Sequence, residues 1–252
     1  MYGSHTRVIH AGVDADLFQE RAEQGRQLRS SLGIPQEAFV ILWLGVLEPF
    51  RRLEDMLEAA RGMRKRGEPV HCLIVGRTDF APGYAQGLQQ LVDRQDLKRQ
   101  VTFVSRAVPE SLLADYYCAA DVFVFPNDHQ SWGLAPLEAL CCNRPVVVSR
   151  GSGVSEVLRD GETALLVPPR CPHALAAAIA RLKNDARLRQ HISREGRRLV
   201  MEQLSWNTYV ERMSELLAEV AEQRHRQPAN TPLPGHWLGR LAEVSEPVWR
   251  VR

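Results

Sequence analysis

Short apolar runs alternate with amphipathic segments along most of this chain. The runs are rich in β-branched and aromatic residues, which favours strands, and the segments between them carry apolar residues at helical spacing. The predicted strands are Phe39–Gly45, Val70–Val75, Val101–Val104, Asp121–Phe125, Pro145–Ser149 and Thr163–Val167. The predicted helices are Gln19–Ser31, Leu53–Arg66, Tyr84–Asp96, Pro109–Ala120, Gly133–Cys142, Val154–Arg159, Pro172–Lys183, Asp185–Glu202 and Trp206–Gln223.

This alternation predicts an α/β fold with a doubly wound, mostly parallel sheet. The run Phe39–Gly45 is almost continuously apolar, as expected for a strand buried on both faces. We divide the chain into a linker-like leading segment at residues 1–20, one α/β domain at residues 21–223 and a tail at residues 224–252. The tail is rich in proline and arginine, so we expect it to be flexible.

Composition narrows the class of protein. The chain has 252 residues and a formal net charge of +2, so nothing indicates a nucleic-acid partner. No apolar run approaches the length of a transmembrane segment, and the first ten residues lack the apolar core of a signal peptide. We therefore expect a cytoplasmic location. The five cysteines lie mostly in apolar patterns without metal-binding spacing, which indicates reduced thiols and no metal.

The stretch Asp121–Arg150 carries the clearest candidate site. Its loop lies at the carboxyl end of a predicted strand, where open parallel sheets bind ligands. The sequence Gln-Ser-Trp-Gly at residues 130–133 precedes a predicted helix. Free backbone N–H groups and the positive end of the helix dipole should converge there on an anion such as a phosphate.

Glu138 shares a predicted helix face with Leu134, Leu137 and Cys141. A carboxylate on an apolar face is costly to bury unless a polar group meets it. Two interpretations stay open from the pattern alone. Glu138 either binds a ligand or lies at the margin of the apolar stripe and reaches water.

Other polar residues allow two interpretations each. Arg51 and Arg52 follow the first long strand, where guanidinium groups either bind phosphate or are simply solvated. Asp14 and Asp16 suit a turn better than a divalent metal. His129 is more typical of a solvated loop residue than of a general base.

Three stretches resemble the retaining glycosyltransferases of family 4, the group 1 transferases with two facing Rossmann-like domains. RVIHAGVDADLF resembles the linker into their C-terminal, donor-binding domain, and ILWLGVLEPFRRLEDMLEAA resembles its first strand, phosphate loop and helix. The stretch from FVFPNDHQSWG to LLVPP resembles the signature region with two glutamates eight positions apart. The resemblance covers Arg7–Val220 and is strongest over Ile41–Pro169.

The resemblance implies that residues 21–223 are a Rossmann-like nucleotide-sugar-binding domain, the C-terminal half of the two-domain fold. The second glutamate of the family pair binds ribose hydroxyls, and its counterpart is Glu138. Arg51 stands where the family commonly has lysine, and with Gln130 it is the candidate for catalysis. The remaining donor-binding candidates are Gly45, Arg52, Ser105, Arg106, Ser131, Trp132, Gly133 and Leu134.

Three departures from the family pattern limit the expected activity. Gln130 replaces the first glutamate, Val46 replaces an arginine that Arg52 would have to substitute, and the N-terminal acceptor domain has no counterpart. The first hypothesis is a retaining hexosyltransferase domain that needs no metal or other cofactor and uses a nucleotide diphosphate sugar. The second is a non-catalytic nucleotide-sugar-binding module that needs a separate acceptor-domain chain. An epimerase of related fold is a third.

Overall fold

Six parallel strands form one sheet in this computed structural model, which describes residues 7–226. The strand order is β3-β2-β1-β4-β5-β6, and each neighbouring pair is parallel. The predicted α/β fold is therefore confirmed. The strands are β1 (Val40–Val46), β2 (His71–Arg77), β3 (Val101–Val104), β4 (Val122–Phe125), β5 (Val146–Ser149) and β6 (Leu165–Val167).

The helices follow the predicted segments closely. They are α1 (Ala22–Ser31), α2 (Leu53–Lys65), α3 (Pro82–Arg94), α4 (Glu110–Cys118), α5 (Ala135–Cys141), α6 (Pro172–Asn184), α7 (Ala186–Gln203) and α8 (Trp206–Arg226). Short 3-10 segments form at Pro49–Arg51, Lys98–Gln100 and Gly153–Glu156. The predicted helix Val154–Arg159 was wrong in type, because only the last of these segments forms there.

Two hydrophobic cores cover the two faces of the sheet. Successive residues of a strand point to opposite faces, so Val40 and Leu42 of β1 pack into one core while Ile41 and Trp43 pack into the other. All four are fully buried. This double burial explains why the predicted strand Phe39–Gly45 is almost continuously apolar.

The leading segment is hydrogen-bonded to the residues that follow the C-terminus of α7. The Val13 N–H donates to the carbonyl of Leu204 at 2.9 Å, and the Trp206 N–H donates to the carbonyl of Val13 at 2.8 Å. Nearby, the Asp14 carboxylate accepts the N–H groups of Asp16 and Leu17, each at 3.0 Å. The turn interpretation of Asp14 is therefore confirmed.

The chain divides into two compact units, residues 1–209 and residues 210–252. The first unit holds the sheet. The described part of the second is the remainder of α8, so residues 224–226 of the predicted tail are helical. Residues 1–6 of the leading segment and residues 227–252 of the tail lie outside the described residues. Over residues 7–226, no helix is both long enough and apolar enough to cross a membrane.

Candidate functional site

The sheet order creates a crevice between β1 and β4. These strands are neighbours in the sheet, and the chain winds outward from them in opposite directions. Ligands of open α/β sheets bind at such a switch point, outside the carboxyl ends of the strands. The loops after the two strands are joined there, because the Asp128 N–H donates to the carbonyl of Phe50 at 2.8 Å.

Arg51 and Gln130 meet across this crevice. The Nη1 of Arg51 donates to the Oε1 of Gln130 at 2.7 Å, and the Nδ2 of Asn127 donates to the same oxygen. The Arg51 guanidinium also lies over the Phe50 ring, 4.6 Å from its centroid. Its Nε is buried without a hydrogen-bond partner. Burial lowers the pKa of Arg51, yet an arginine stays charged at neutral pH.

Arg52 points elsewhere. Its guanidinium pairs with Glu54 and with Asp55, each at 2.8 Å, and its hydrogen bond to Asp55 raises the pKa of Arg52. Val46 stands where the family pattern has an arginine. To take the place of that arginine, Arg52 would have to break its ion pairs with Glu54 and Asp55. Its role in donor binding stays a prediction.

The loop between β4 and α5 is packed tightly at two glycines. A Cβ on Gly133 would lie 2.8 Å from the Phe125 ring, and a Cβ on Gly153 would lie 1.8 Å from the carbonyl oxygen of Ser131. The Gly153 N–H donates to the carbonyl of Gln130 at 2.8 Å. Glycine at these positions lets the loop lie against β4 and against the turn after β5.

Helix α5 begins later than predicted. The prediction placed its start at Gly133, but the first helical residue is Ala135, with Leu134 as the N-cap. Pro136 lies in the first turn, where its missing N–H costs nothing. The N–H groups of residues 131–134 take part in none of the hydrogen bonds formed by the described residues. They therefore form a row of unused donors beside Gln130.

Glu138 lies one turn into α5 and is half-buried. The Tyr117 hydroxyl donates to its Oε2 at 2.6 Å, which supplies the polar partner that a carboxylate on an apolar face needs. Burial raises the pKa of Glu138, the hydrogen bond from Tyr117 lowers it, and the charge of Glu110 raises it. Burial and the neighbouring carboxylate raise the pKa of Tyr117 well above its ordinary value. Tyr117 is therefore the proton donor of the pair.

A cavity of ≈ 340 Å³ opens at the carboxyl ends of β1 and β2. Gly45 and Arg106 line it, as does Leu113 of α4. A Cβ on Gly76, which also lines it, would lie 1.7 Å from the Gly45 carbonyl oxygen. Leu113 is one helical turn from Tyr117, so the cavity and Glu138 lie along the same face of α4.

The predicted site residues fall into groups. Arg51 contacts Gln130 directly, and the loop Ser131–Leu134 adjoins them. Gly45 and Arg106 share the cavity, whereas Ser105 is exposed and is not among the residues that line it.

Two residues of the loop after β4 differ in their packing. His129 is exposed and lies 3.4 Å from Asp128, which suits the interpretation of a solvated loop residue. The Trp132 ring stacks on His10 of the leading segment, with the ring centroids 4.5 Å apart. The loop therefore contacts the segment that leads into the domain.

The sequence interpretation missed two site residues, Tyr117 and Asn127. Tyr117 lies in a largely apolar stretch of α4 and has the pattern of a core residue. Asn127 is completely buried, and its Oδ1 has no hydrogen-bond partner. An asparagine two residues after the end of a buried strand was the one available signal for it.

A six-stranded Rossmann-like sheet with polar groups gathered at its switch point defines a domain of the ligand-binding α/β class. The sequence profile described as Glycosyl transferases group 1 matches residues 25–199, so the chain belongs to that family. The family resemblance drawn from the motifs is thereby confirmed.

Known relatives agree with this assignment. A D-inositol 3-phosphate glycosyltransferase of Thermomonospora curvata is 31% identical over 218 residues, covering 83% of this chain and 50% of the relative. Sucrose-phosphate synthase from Thermosynechococcus elongatus is 28% identical with a TM-score of 0.78, covering 88% of this chain and 54% of that one. HepE from Anabaena, solved in complex with UDP and glucose, is 22% identical with a TM-score of 0.77. The match covers 84% of this chain and 57% of HepE. The chain thus spans about half the length of each.

Proposed function

We propose that this chain is the donor-binding domain of a retaining glycosyltransferase that uses a nucleoside diphosphate sugar and transfers a hexosyl group. The observation that carries the proposal is the row of unused N–H groups at residues 131–134 beside the Arg51 guanidinium. Backbone N–H groups and an arginine suit a diphosphate. The structure of HepE with UDP and glucose supports a donor of this class.

Glu138 and the cavity accommodate the nucleoside in this proposal. The Glu138 carboxylate accepts hydrogen bonds from the ribose hydroxyls, and Tyr117 holds it from the side of the core. The base enters the cavity beside Gly45, where the lack of a side chain leaves room. Helix α4 therefore connects the proposed base and ribose positions through Leu113 and Tyr117.

Glycosyl transfer depends mainly on stabilisation of the departing nucleoside diphosphate. Fixed N–H donors and the Arg51 guanidinium provide it electrostatically, so we propose transfer without a metal ion or another cofactor. One such donor is worth about 2.7–4 kcal/mol of barrier in other enzymes. The loss of one cation at Val46 is therefore compatible with activity.

The second candidate is a nucleotide-sugar-binding module that acts only with a separate acceptor-domain chain. Gln130 favours it, because an amide provides no negative charge for a developing oxocarbenium ion. Donor binding is common to both candidates, so it is the first property to test.

Calorimetric titration of UDP, GDP, ADP and their glucose conjugates tests the proposal, with Glu138→Ala beside wild type. We expect Glu138→Ala to weaken the preferred nucleotide at least about tenfold, because one charged hydrogen bond contributes about 1.5–3 kcal/mol. Glu37→Ala removes an exposed glutamate outside the site and should leave affinity unchanged. Equal affinity of Glu138→Ala and wild type would contradict the ribose assignment.

A further inference from the structure

We infer that Gln130 is a positioning residue that orients Arg51 without neutralising it, so that the guanidinium charge remains available to the diphosphate. This inference rests on the proposed function and assigns the site a specific preference. The domain should hold the diphosphate of its ligand more strongly than it would with a carboxylate at position 130.

The orientation of the Gln130 amide follows from the groups around it. The guanidinium of Arg51 has only donors, so the Gln130 atom 2.7 Å from its Nη1 must be the oxygen. The Asn127 amide nitrogen donates to that same oxygen. A carbonyl oxygen has two lone pairs, and these two bonds occupy both. Gln130 therefore holds Arg51 with its oxygen and leaves only its NH₂ group for a ligand.

The charge of Arg51 is not compensated by an ion pair. Its guanidinium forms no salt bridge with any carboxylate in the described part of the chain, although the charge of Glu48 acts on it. Arg52 pairs with two carboxylates and Arg170 pairs with Asp128. The Nε of Arg51 is also buried without a partner. An anion bound there would complete the hydrogen bonding of this partly buried cation and balance its charge.

A glutamate at position 130 would change this balance. Its carboxylate would occupy the place of the amide oxygen and would form a close ion pair with Arg51. The ion pair would cancel the positive charge next to the unused N–H groups of residues 131–134. The neutral amide keeps the same contact geometry, and the positive charge remains for the ligand.

The test is the substitution Gln130→Glu, measured by calorimetry. The probes are the preferred nucleoside diphosphate and the corresponding monophosphate, UDP and UMP for a uridine site. We expect the Kd for UDP to rise about tenfold and the Kd for UMP to stay within about twofold, because only UDP carries the second phosphate. In an Arg51→Ala background, Gln130→Glu should have little further effect on UDP.

Two further variants separate charge from shape. Gln130→Met removes the amide without adding charge, so we expect it to raise the Kd for UDP by only about threefold. Gln190→Glu adds the same charge on an exposed part of α7 and should change nothing. Thermal melting of each variant, with and without UDP, shows that the protein is folded.

The outcomes are distinct. Any of three results would overturn the inference. Gln130→Glu could weaken the binding of UDP and UMP equally, Gln130→Met could weaken UDP binding as much as Gln130→Glu does, or Gln130→Glu could keep its full effect in the Arg51→Ala background. Gln130 would then only buttress the loop. If wild type binds UDP and Gln130→Glu binds it equally well, this inference fails alone. If wild type binds no nucleoside diphosphate, the proposed function fails with it.

Discussion

Burial and the Tyr117 hydroxyl act in opposite directions on how readily the Glu138 carboxylate takes up a proton. Burial raises the pKa of Glu138 most, and the hydrogen bond from Tyr117 partly offsets this rise. Since the folded protein favours the protonated form, the contribution of Glu138 to stability is greatest below the ordinary glutamate pKa. It is lost as the pH rises through the raised pKa. The proposed ribose contact has the opposite requirement, because an ionised carboxylate is the stronger acceptor for hydroxyl groups.

Donor affinity should therefore fall on acidification through the raised pKa of Glu138. In Tyr117→Phe the hydrogen bond that lowers this pKa is gone, so we expect the fall to occur at a higher pH than in wild type. Calorimetric Kd values for UDP from about pH 4 to about pH 8 measure this fall, because that range begins near the ordinary glutamate pKa and extends above it. Tyr116→Phe alters the adjacent buried tyrosine, whereas the hydroxyl that donates to Glu138 belongs to Tyr117, so this variant should keep the wild-type profile. Coincident profiles for Tyr117→Phe and wild type would show that Tyr117 does not act on Glu138.

At the scale of elements, the loop between β4 and α5 keeps its shape because the turn after β5 lies directly against it. Gly153 forms a backbone hydrogen bond with Gln130 and has no room for a Cβ beside Ser131. The position of the unused N–H groups at residues 131–134 therefore depends on a residue outside the loop.

We expect Gly153→Ala to lower the free energy of unfolding by about 1–3 kcal/mol, because the new methyl group meets backbone that must move. UDP affinity should fall with it, since the loop shifts. Gly87→Ala provides the matched control in α3, where a Cβ meets nothing within 4 Å. It should raise the free energy of unfolding by about 0.5–1 kcal/mol, because alanine favours helix. Urea denaturation measures the free energy of unfolding of both variants. If Gly153→Ala has the same free energy of unfolding as wild type, the loop tolerates the added methyl group.

Elements were predictable from the sequence where burial dictates composition. The six strands follow from apolar runs such as Phe39–Gly45, because strands buried on both faces need apolar residues almost throughout. The start of α5 was misplaced by two residues for a tertiary reason. Gly133 lies against the Phe125 ring, and a contact between separate elements leaves no trace in local periodicity.

The site was predictable only in part. Residues 130–138 form one continuous stretch, so their motif was visible in the sequence. The contact between Arg51 and Gln130 joins positions 79 apart, and that between Tyr117 and Glu138 joins positions 21 apart. Neither pairing can be derived from spacing along the chain. The structure therefore adds which polar groups meet, while the sequence supplied most of the candidates.

At the scale of the whole molecule, the described chain holds one Rossmann-like unit, whereas its relatives are about twice as long. Transfer requires an acceptor to approach the donor from outside the sheet, and the proposed site lies at an open crevice. We therefore expect donor binding by the described domain to be measurable separately from transfer.

We expect this chain alone to bind a nucleoside diphosphate sugar and to release free sugar or transfer it only slowly. Addition of an acceptor-binding domain as a separate chain should raise the rate of nucleoside diphosphate release at least about tenfold, because it positions the acceptor. Coupled detection of UDP measures the rate, with the Glu138→Ala variant as the control. Fast transfer by the isolated chain would contradict this separation.

The fastening of Val13 to Leu204 and Trp206 places the beginning and the end of the sheet-bearing unit side by side. Such adjacency is the geometry that circular permutation and insertion of one domain into another require. A short peptide could join the two positions while new termini are opened in a surface turn. The same unit could also be carried within a loop of a different protein, with both junctions close together.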